Sequence, residues 1–172
     1  MDNVNIRGWQ ISDGSALSEA LNNRRVLDWL RDGLPFPYTK NNAEEYINYA
    51  MSADKNKALL YAIEYGGQVV GNIGAIRCGN IHFCAAELGY YINERFWGRG
   101  IATAAVKLVC EKLFAETDIL RIFAEPFSDN FASRRVLEKS GFVLEGILKN
   151  NAVKNGIVWD MAMYAKIKEE QK

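Results

Sequence analysis

The segment Trp97-Gly98-Arg99-Gly100-Ile101-Ala102-Thr103 limits the folds open to this chain more than any other. An apolar run over Ala85–Ile92 precedes it and predicts a strand. Ile101, Ala105, Leu108 and Val109 then fall on one face of a helix predicted from about Gly100 to Glu116. A strand therefore hands over to a helix through a glycine turn. The first turn of a helix has N–H groups without intrahelical partners, and the helix dipole adds partial positive charge there. Glycines let the backbone come close to a ligand, so the segment reads as a cradle for phosphate oxygens. A dinucleotide-binding βαβ unit would need Gly-x-Gly-x-x-Gly near the first strand and an acidic residue about 20 positions on. Here Thr103 stands in place of a third glycine and the turn follows the fourth strand, so that reading is set aside.

The rest of the chain supplies a consistent frame. Val4, Ile6 and Trp9 begin an extended segment, and Leu17, Leu21, Val26, Leu27 and Leu30 carry helical spacing. Leu34-Pro35-Phe36-Pro37-Tyr38-Thr39 cannot continue a helix, because each proline lacks a donor and restrains its predecessor. Asn41 and Glu44 have capping-box spacing ahead of a helix predicted to reach about Ala53. Strands are predicted over Ala58–Tyr65 and Val69–Cys78, joined by Gly66-Gly67, and over Arg121–Glu125. Asn130 reads as the N-cap of a helix ending at Gly141. Strands over Phe142–Lys149 and Ile157–Tyr164 flank the hairpin turn Asn155-Gly156. The order β-α-α-β-β-β-α-β-α-β-β predicts an α/β three-layer domain around a mixed sheet, and 172 residues without repeat or linker predict one domain over 1–172.

Composition narrows the partners. Twenty-one basic and 21 acidic residues cancel, so nothing in the charge calls for nucleic acid or an anionic membrane. Three cysteines, Cys78, Cys84 and Cys110, form no CxxC pair, and an odd count fits a reducing compartment. His82, the only histidine, and Cys84 are two apart and would share a face in a strand. Two ligands without further company make a poor metal site, and no metal is expected. The segment Met1-Asp2-Asn3 has neither a basic nor an apolar leader region, and no apolar run approaches the ~20 residues of a membrane span. A cytoplasmic protein is expected.

Two strings carry a family resemblance. Trp97 to Ala102 resembles the pyrophosphate loop of the GNAT acetyltransferase superfamily, with Gly100 and Ala102 at its glycine and glycine-or-alanine positions. Trp97 departs from the glutamine or arginine usual at the first position. It is similar instead to the branch that includes the bacterial ribosomal-protein N-terminal acetyltransferases. The string Asn130-Phe131-Ala132-Ser133-Arg134-Arg135-Val136-Leu137-Glu138-Lys139-Ser140-Gly141-Phe142 resembles the same branch at almost every position. So do Asn22-Asn23-Arg24, Leu30-Arg31-Asp32 and Pro37-Tyr38-Thr39, and the resemblance covers most of the chain in order. It implies a GNAT-like α/β/α fold around a mixed, mostly antiparallel sheet with a splayed central strand pair.

The resemblance also implies the chemistry. Acetyl-CoA would be the acetyl donor, with the amides of Gly98, Arg99, Gly100, Ile101, Ala102 and Thr103 on its pyrophosphate behind Trp97. Arg99 would add charge there or stay a solvated loop arginine. The pantetheine arm would pair like an added strand with the end of the third long strand, where an amide near Tyr91 or Ile92 polarises the thioester carbonyl. Tyr90, Tyr91, Trp97 and Phe127 cluster around the site as core or pocket wall, with no catalytic role expected of them. Asn130 matches the family asparagine that bonds the pantetheine arm, with an ordinary N-cap as the other reading; one side chain is expected to serve only one of these roles well, and contact with the cofactor is favoured. Attack on the thioester needs a neutral amine. An alkyl ammonium of pKa ~10 gives up its proton less readily than an α-ammonium of pKa ~8. Glu125, five residues before Asn130, and Glu87 are candidate bases, or else strand-end carboxylates in salt bridges, with Glu125 the better match in spacing to N-terminal acetyltransferases. Leu137 stands where many of these enzymes carry a tyrosine that protonates the leaving thiolate. Ser133 matches the serine given that task in the ribosomal-protein branch, and its hydroxyl also suits a local backbone bond.

Two function classes stay open on this reading. One is an enzyme acetylating a primary amine, either a protein N-terminus or a small molecule. The other is a catalytically silent module that binds acetyl-CoA. Substrate choice is expected in Leu27–Tyr49, which carries Arg31, Asp32 and Lys40, and in the Lys149–Val158 turn. Ala152 aligns where some ribosomal-protein enzymes carry a glutamate, which weakens the case for a ribosomal-protein substrate. Asp160 is expected to be structural, and a homodimer is left open.

Overall fold

Two tight turns pin most of the sheet. Gly66-Gly67 and Asn155-Gly156 both hold left-handed backbone at each central residue, with φ of 58° and 80° and of 53° and 75°. That is the twist a two-residue hairpin needs. The computed structural model describes residues 3–169. Within them, β1 (Val4–Arg7), β2 (Ala58–Tyr65), β3 (Gln68–Arg77), β4 (Ala85–Ile92), β5 (Arg121–Ala124), β6 (Val143–Lys154) and β7 (Ile157–Ile167) form one sheet in the order β1-β2-β3-β4-β5-β7-β6. Every neighbouring pair is antiparallel except β4 with β5.

Helices cover both faces. On one face lie α1 (Gly14–Leu21), α2 (Arg24–Leu27) and α3 (Lys40–Ser52), packed through Leu17, Leu21, Val26 and Ile47 onto Trp9 and Ala62. On the other lie α4 (Ile101–Glu116) and α5 (Phe131–Lys139), packed through Ile101, Val106, Val109 and Leu137 onto Ile63, Ile73, Leu88 and Ile122. Ala62 and Ile63 show how strand alternation serves both layers from neighbouring positions. The three-layer arrangement around a mixed sheet is the one expected from sequence.

Local expectations needed four corrections. The first helical segment breaks in two, because Asn22 leaves helical geometry and the extended Asn23 caps α2 by accepting from Arg25 N–H at 2.9 Å. The α3 cap is Thr39 with Asn42, not Asn41 with Glu44; after Pro37 it is Thr39 that stays extended (ψ 166°) and takes the Asn42 N–H. β6 continues past Lys149 to Lys154, with an irregular register at Leu148–Ala152 where Asp160 binds Asn150 N–H and the Lys149 ammonium. His82 sits in a short 3-10 turn (Asn80–His82) rather than in a strand with Cys84. Among the described residues no group of three or more His, Cys, Asp or Glu is placed to hold a metal ion, and no helix is long and apolar enough to cross a membrane.

β3 and β4 approach so closely at Gly71 that a Cβ there would lie 2.2 Å from the Tyr91 carbonyl oxygen and 2.9 Å from Ile92 Cδ1. Backbone cannot yield cheaply, so Gly71→Ala is expected to cost about 1–3 kcal/mol. A thermal melt reads this as a drop of several degrees, on the order of 2–4 °C per kcal/mol at this size. An unchanged melting temperature would show that the strand pair is looser than described.

Candidate active site

The parallel pairing of β4 and β5 lasts only from Ala85 to Glu87, opposite Arg121 to Phe123. Beyond Glu87 the strands part, and β4 continues to Ile92 beside an open cleft of about 840 Å³. The candidate catalytic and cofactor-binding residues converge on this cleft, whereas Phe127 is buried outside its lining. Glu87, Glu125 and Ser133 line it, as do Tyr90, Tyr91, Ile92, Trp97, Gly98, Arg99, Gly100, Ile101, Ala102, Thr103 and Asn130.

At one end lies the glycine turn. Gly98 and Gly100 have φ of 76° and 75°, a backbone that side-chain-bearing residues rarely adopt. Gly100 is the N-cap of α4, and the Ala104 N–H to Gly100 carbonyl bond of 3.1 Å closes the first turn. The N–H groups of Ile101, Ala102 and Thr103 precede that bond and point out of the helix end. A Cβ on either glycine would meet no atom within 4 Å, so the face of the turn is open to a ligand. The turn is braced from behind. Trp97 donates its indole N–H to the Ile92 carbonyl at 2.7 Å, and Arg25 and Asn23 both bind Glu94 in the 3-10 turn just ahead of it. Arg99 is exposed, with its guanidinium 5.3 Å from the Phe96 ring centre and a 3.3 Å bond to the Arg95 carbonyl.

The open edge of β4 runs from this turn toward the strand pair. Asn93 N–H binds the Val70 carbonyl at 2.7 Å, and Tyr91 pairs with Asn72 in the same register. In an antiparallel ladder, alternate residues turn their backbone groups to opposite sides. The Tyr91 amide therefore belongs to the β3 ladder, and the amides of Tyr90 and Ile92 face the gap. Of the two positions expected to offer a free amide, Tyr91 is corrected to its neighbour Tyr90, while Ile92 stands.

α5 meets this edge from the α4 side of the sheet. Asn130 caps it, accepting from Ser133 N–H at 3.0 Å through Oδ1. The cap uses the oxygen, and the amide nitrogen makes no hydrogen bond among the described residues. The Ser133 hydroxyl pairs with the Tyr90 hydroxyl at 2.9 Å, and Tyr90 also donates to the Ser133 carbonyl at 3.1 Å. Burial pushes the Tyr90 phenol well above its ordinary value against the opposing pull of Ser133, so it stays protonated at neutral pH. Leu137 does not reach the cleft; it is fully buried in the core beneath α5.

Glu87 and Glu125 lie on the opposite face. Glu87 is registered with Phe123, and Glu125 is two residues further along, so both carboxylates project on the α1–α3 side where the strands part. The Arg31 guanidinium, from the loop after α2, grips Glu87 through both nitrogens and lies 3.8 Å from Glu125. The sequence places Arg31 in the substrate segment and allows either carboxylate a salt bridge, but nothing in it pairs Arg31 with Glu87 across 56 residues. Sequence reading also missed Trp29, which packs with Phe127 (6.4 Å between ring centres) and Trp159 (6.3 Å) beside the carboxylates. Lys154 ties this region together, donating to the Leu27 and Leu30 carbonyls across to the β6–β7 hairpin.

Known proteins are similar to this chain in sequence and fold. The family model described as "Acetyltransferase (GNAT) domain" matches residues 3–143. The uncharacterized N-acetyltransferase YoaA of Bacillus subtilis is 32% identical over 137 residues, covering 74% of this chain and 77% of its own. The ribosomal-protein-serine acetyltransferase of Escherichia coli is 26% identical over 147 residues, covering 83% and 82%. A solved RimL ribosomal α-N-protein acetyltransferase in complex with coenzyme A superposes with a TM-score of 0.86 at 25% identity, over 97% of this chain and 95% of that one.

Proposed function

The chain belongs to the GNAT acetyltransferase family and is an acyltransferase, and from that premise we propose that it moves the acetyl group of acetyl-CoA directly to a primary amine in the cleft between β4 and β5. One observation carries the reading. A helix-end anion cradle, an unpaired strand edge and a pair of carboxylates line a single opening, at the point where the sheet splits.

In this reading the amides of Gly98 to Thr103 hold the pyrophosphate, with Arg99 free to add charge. The Tyr90 and Ile92 amides pair with the pantetheine arm, and Asn130 donates to it through the nitrogen its cap leaves free. The cradle fits a diphosphate because its outer face is open and its donors are backbone groups already in place. The amine approaches from the α1–α3 side and passes its proton to Glu125, directly or through water, as its nitrogen attacks the thioester carbon. The carbon–sulfur bond breaks and the sulfur takes the Ser133 hydroxyl proton, which water in the open cleft replaces, while Tyr90 keeps its own proton and orients the Ser133 hydroxyl through their hydrogen bond. That pair offers a proton path that does not need a tyrosine at position 137. The coenzyme A complex of the RimL relative supports the choice of donor. That relative's being an α-N-protein acetyltransferase supports a protein N-terminal amine as one acceptor class.

Acetyl-CoA and CoA are both expected to raise the melting temperature, since a ligand bound only by the folded state must stabilise it. Adding peptides, amino acids and polyamines should then release free CoA thiol with at least one of them. A melting shift without thiol release from any amine would overturn transfer and leave a silent binding module.

A further inference from the structure

The two carboxylates at the split are occupied by the chain's own cation. Arg31 grips Glu87 through both guanidinium nitrogens and comes within 3.8 Å of Glu125. Its side chain is 63% exposed, whereas those of Glu87 and Glu125 are 30% and 19% exposed, so it caps them from the solvent side. An exposed pair of this kind contributes little to stability and is readily exchanged. The loop beneath it is held independently, because the Lys154 ammonium binds the Leu27 and Leu30 carbonyls and faces Asp32 at 3.6 Å. Arg31 can therefore leave by rotating its side chain while the loop backbone stays in place. Two carboxylates against one guanidinium leave a net charge of minus one, and Trp29, packed against Phe127 and Trp159, lines the same cleft.

We propose that Arg31 holds the seat of the acceptor's ammonium, and that the site selects cationic amines with no carboxylate beside the nitrogen over free amino acids. The inference rests on the acceptor side assigned above. An ammonium takes the guanidinium's place between the two carboxylates, leaving the charge of the site unchanged, then gives its proton to Glu125 and becomes the nucleophile. A free α-amino acid brings its own carboxylate next to Glu87 and Glu125, with only a displaced arginine to answer it. Arg31 is thus an internal competitor that sets how strongly a cation must bind.

Calorimetric titration of the full chain tests this with alaninamide, which mimics a peptide N-terminus, with spermidine and with alanine, each with and without CoA. Arg31→Ala is expected to bind alaninamide or spermidine about three- to tenfold more tightly than the unchanged chain, because the site loses its occupant and gains net negative charge. Arg31→Lys should return most of the competition. Alanine should bind the unchanged chain at least about tenfold more weakly than alaninamide. The CoA melting shift of each variant, read separately, reports the fold and the donor site, so failure there is distinct from failure here. Cation binding that is unchanged or weakened in Arg31→Ala would make Arg31 a loop strap and overturn the proposal. So would alanine binding as well as alaninamide and being lost in Arg31→Ala, which would make Arg31 a carboxylate anchor. Absence of binding by all three amines to either protein overturns it as well.

Discussion

Gly100→Asp is expected to abolish the acetyl-CoA melting shift and to weaken binding by about 100-fold or more, from the lost helix-end site together with a new like charge. Gly100 caps α4 with φ 75°, and no atom lies within 4 Å of where its Cβ would be. An aspartate there adds a carboxylate to the face proposed for the diphosphate. Gly100→Ala separates charge from backbone strain. It keeps the left-handed penalty, on the order of 1 kcal/mol, without the charge, so it should lower the melting temperature yet keep most of the acetyl-CoA shift. An undiminished shift in folded Gly100→Asp would take the turn out of the account.

Glu125→Gln is expected to lower turnover by ~10²–10⁴-fold while leaving the acetyl-CoA shift intact. Glu87→Gln should cost less. Arg31 binds Glu87 through both nitrogens but stands 3.8 Å from Glu125, which is also the less exposed of the two. Glu125 is therefore the carboxylate better placed to accept a proton from an amine that has entered the gap. The acidic limb of the pH–rate profile should flatten in Glu125→Gln, because that limb reports the base or the substrate amine. A fully active Glu125→Gln enzyme would transfer the role to Glu87 or to water. Water as the base would favour α-amino groups over lysine-like amines, since more of them are neutral near pH 7.

What could be read in the sequence was local. The turn at Trp97–Thr103, the two hairpins and the Asn130 cap each depend on residues within a few positions of one another, and glycine or asparagine signals them directly. The family strings, Trp97–Ala102 and Asn130–Phe142, then carried the layered fold. Near neighbours also caused the local errors: Thr39, Asn41 and Asn42 are all competent caps, and only the path of the chain after Pro37 selects Thr39. What could not be read depends on pairing across the sheet. The Tyr90–Ser133 contact joins residues 43 apart, and the Arg31 bridge to Glu87 joins residues 56 apart. Whether the open amide was that of Tyr91 or of a neighbour depended on the phase of the β3–β4 ladder, which a slip of one residue would invert.

The central claim is that the cleft transfers acetyl groups to amines rather than only binding the donor. The most direct test incubates the full chain with acetyl-CoA labelled in its acetyl group and a mixture of free-N-terminus peptides and small amines, and reads label on amine nitrogen by mass spectrometry. Labelled amide product together with an equal amount of free CoA is the expected result, with both reduced in Glu125→Gln. Acetyl-CoA that raises the melting temperature of the chain, yet is recovered intact with no labelled amine in the mixture, would contradict it.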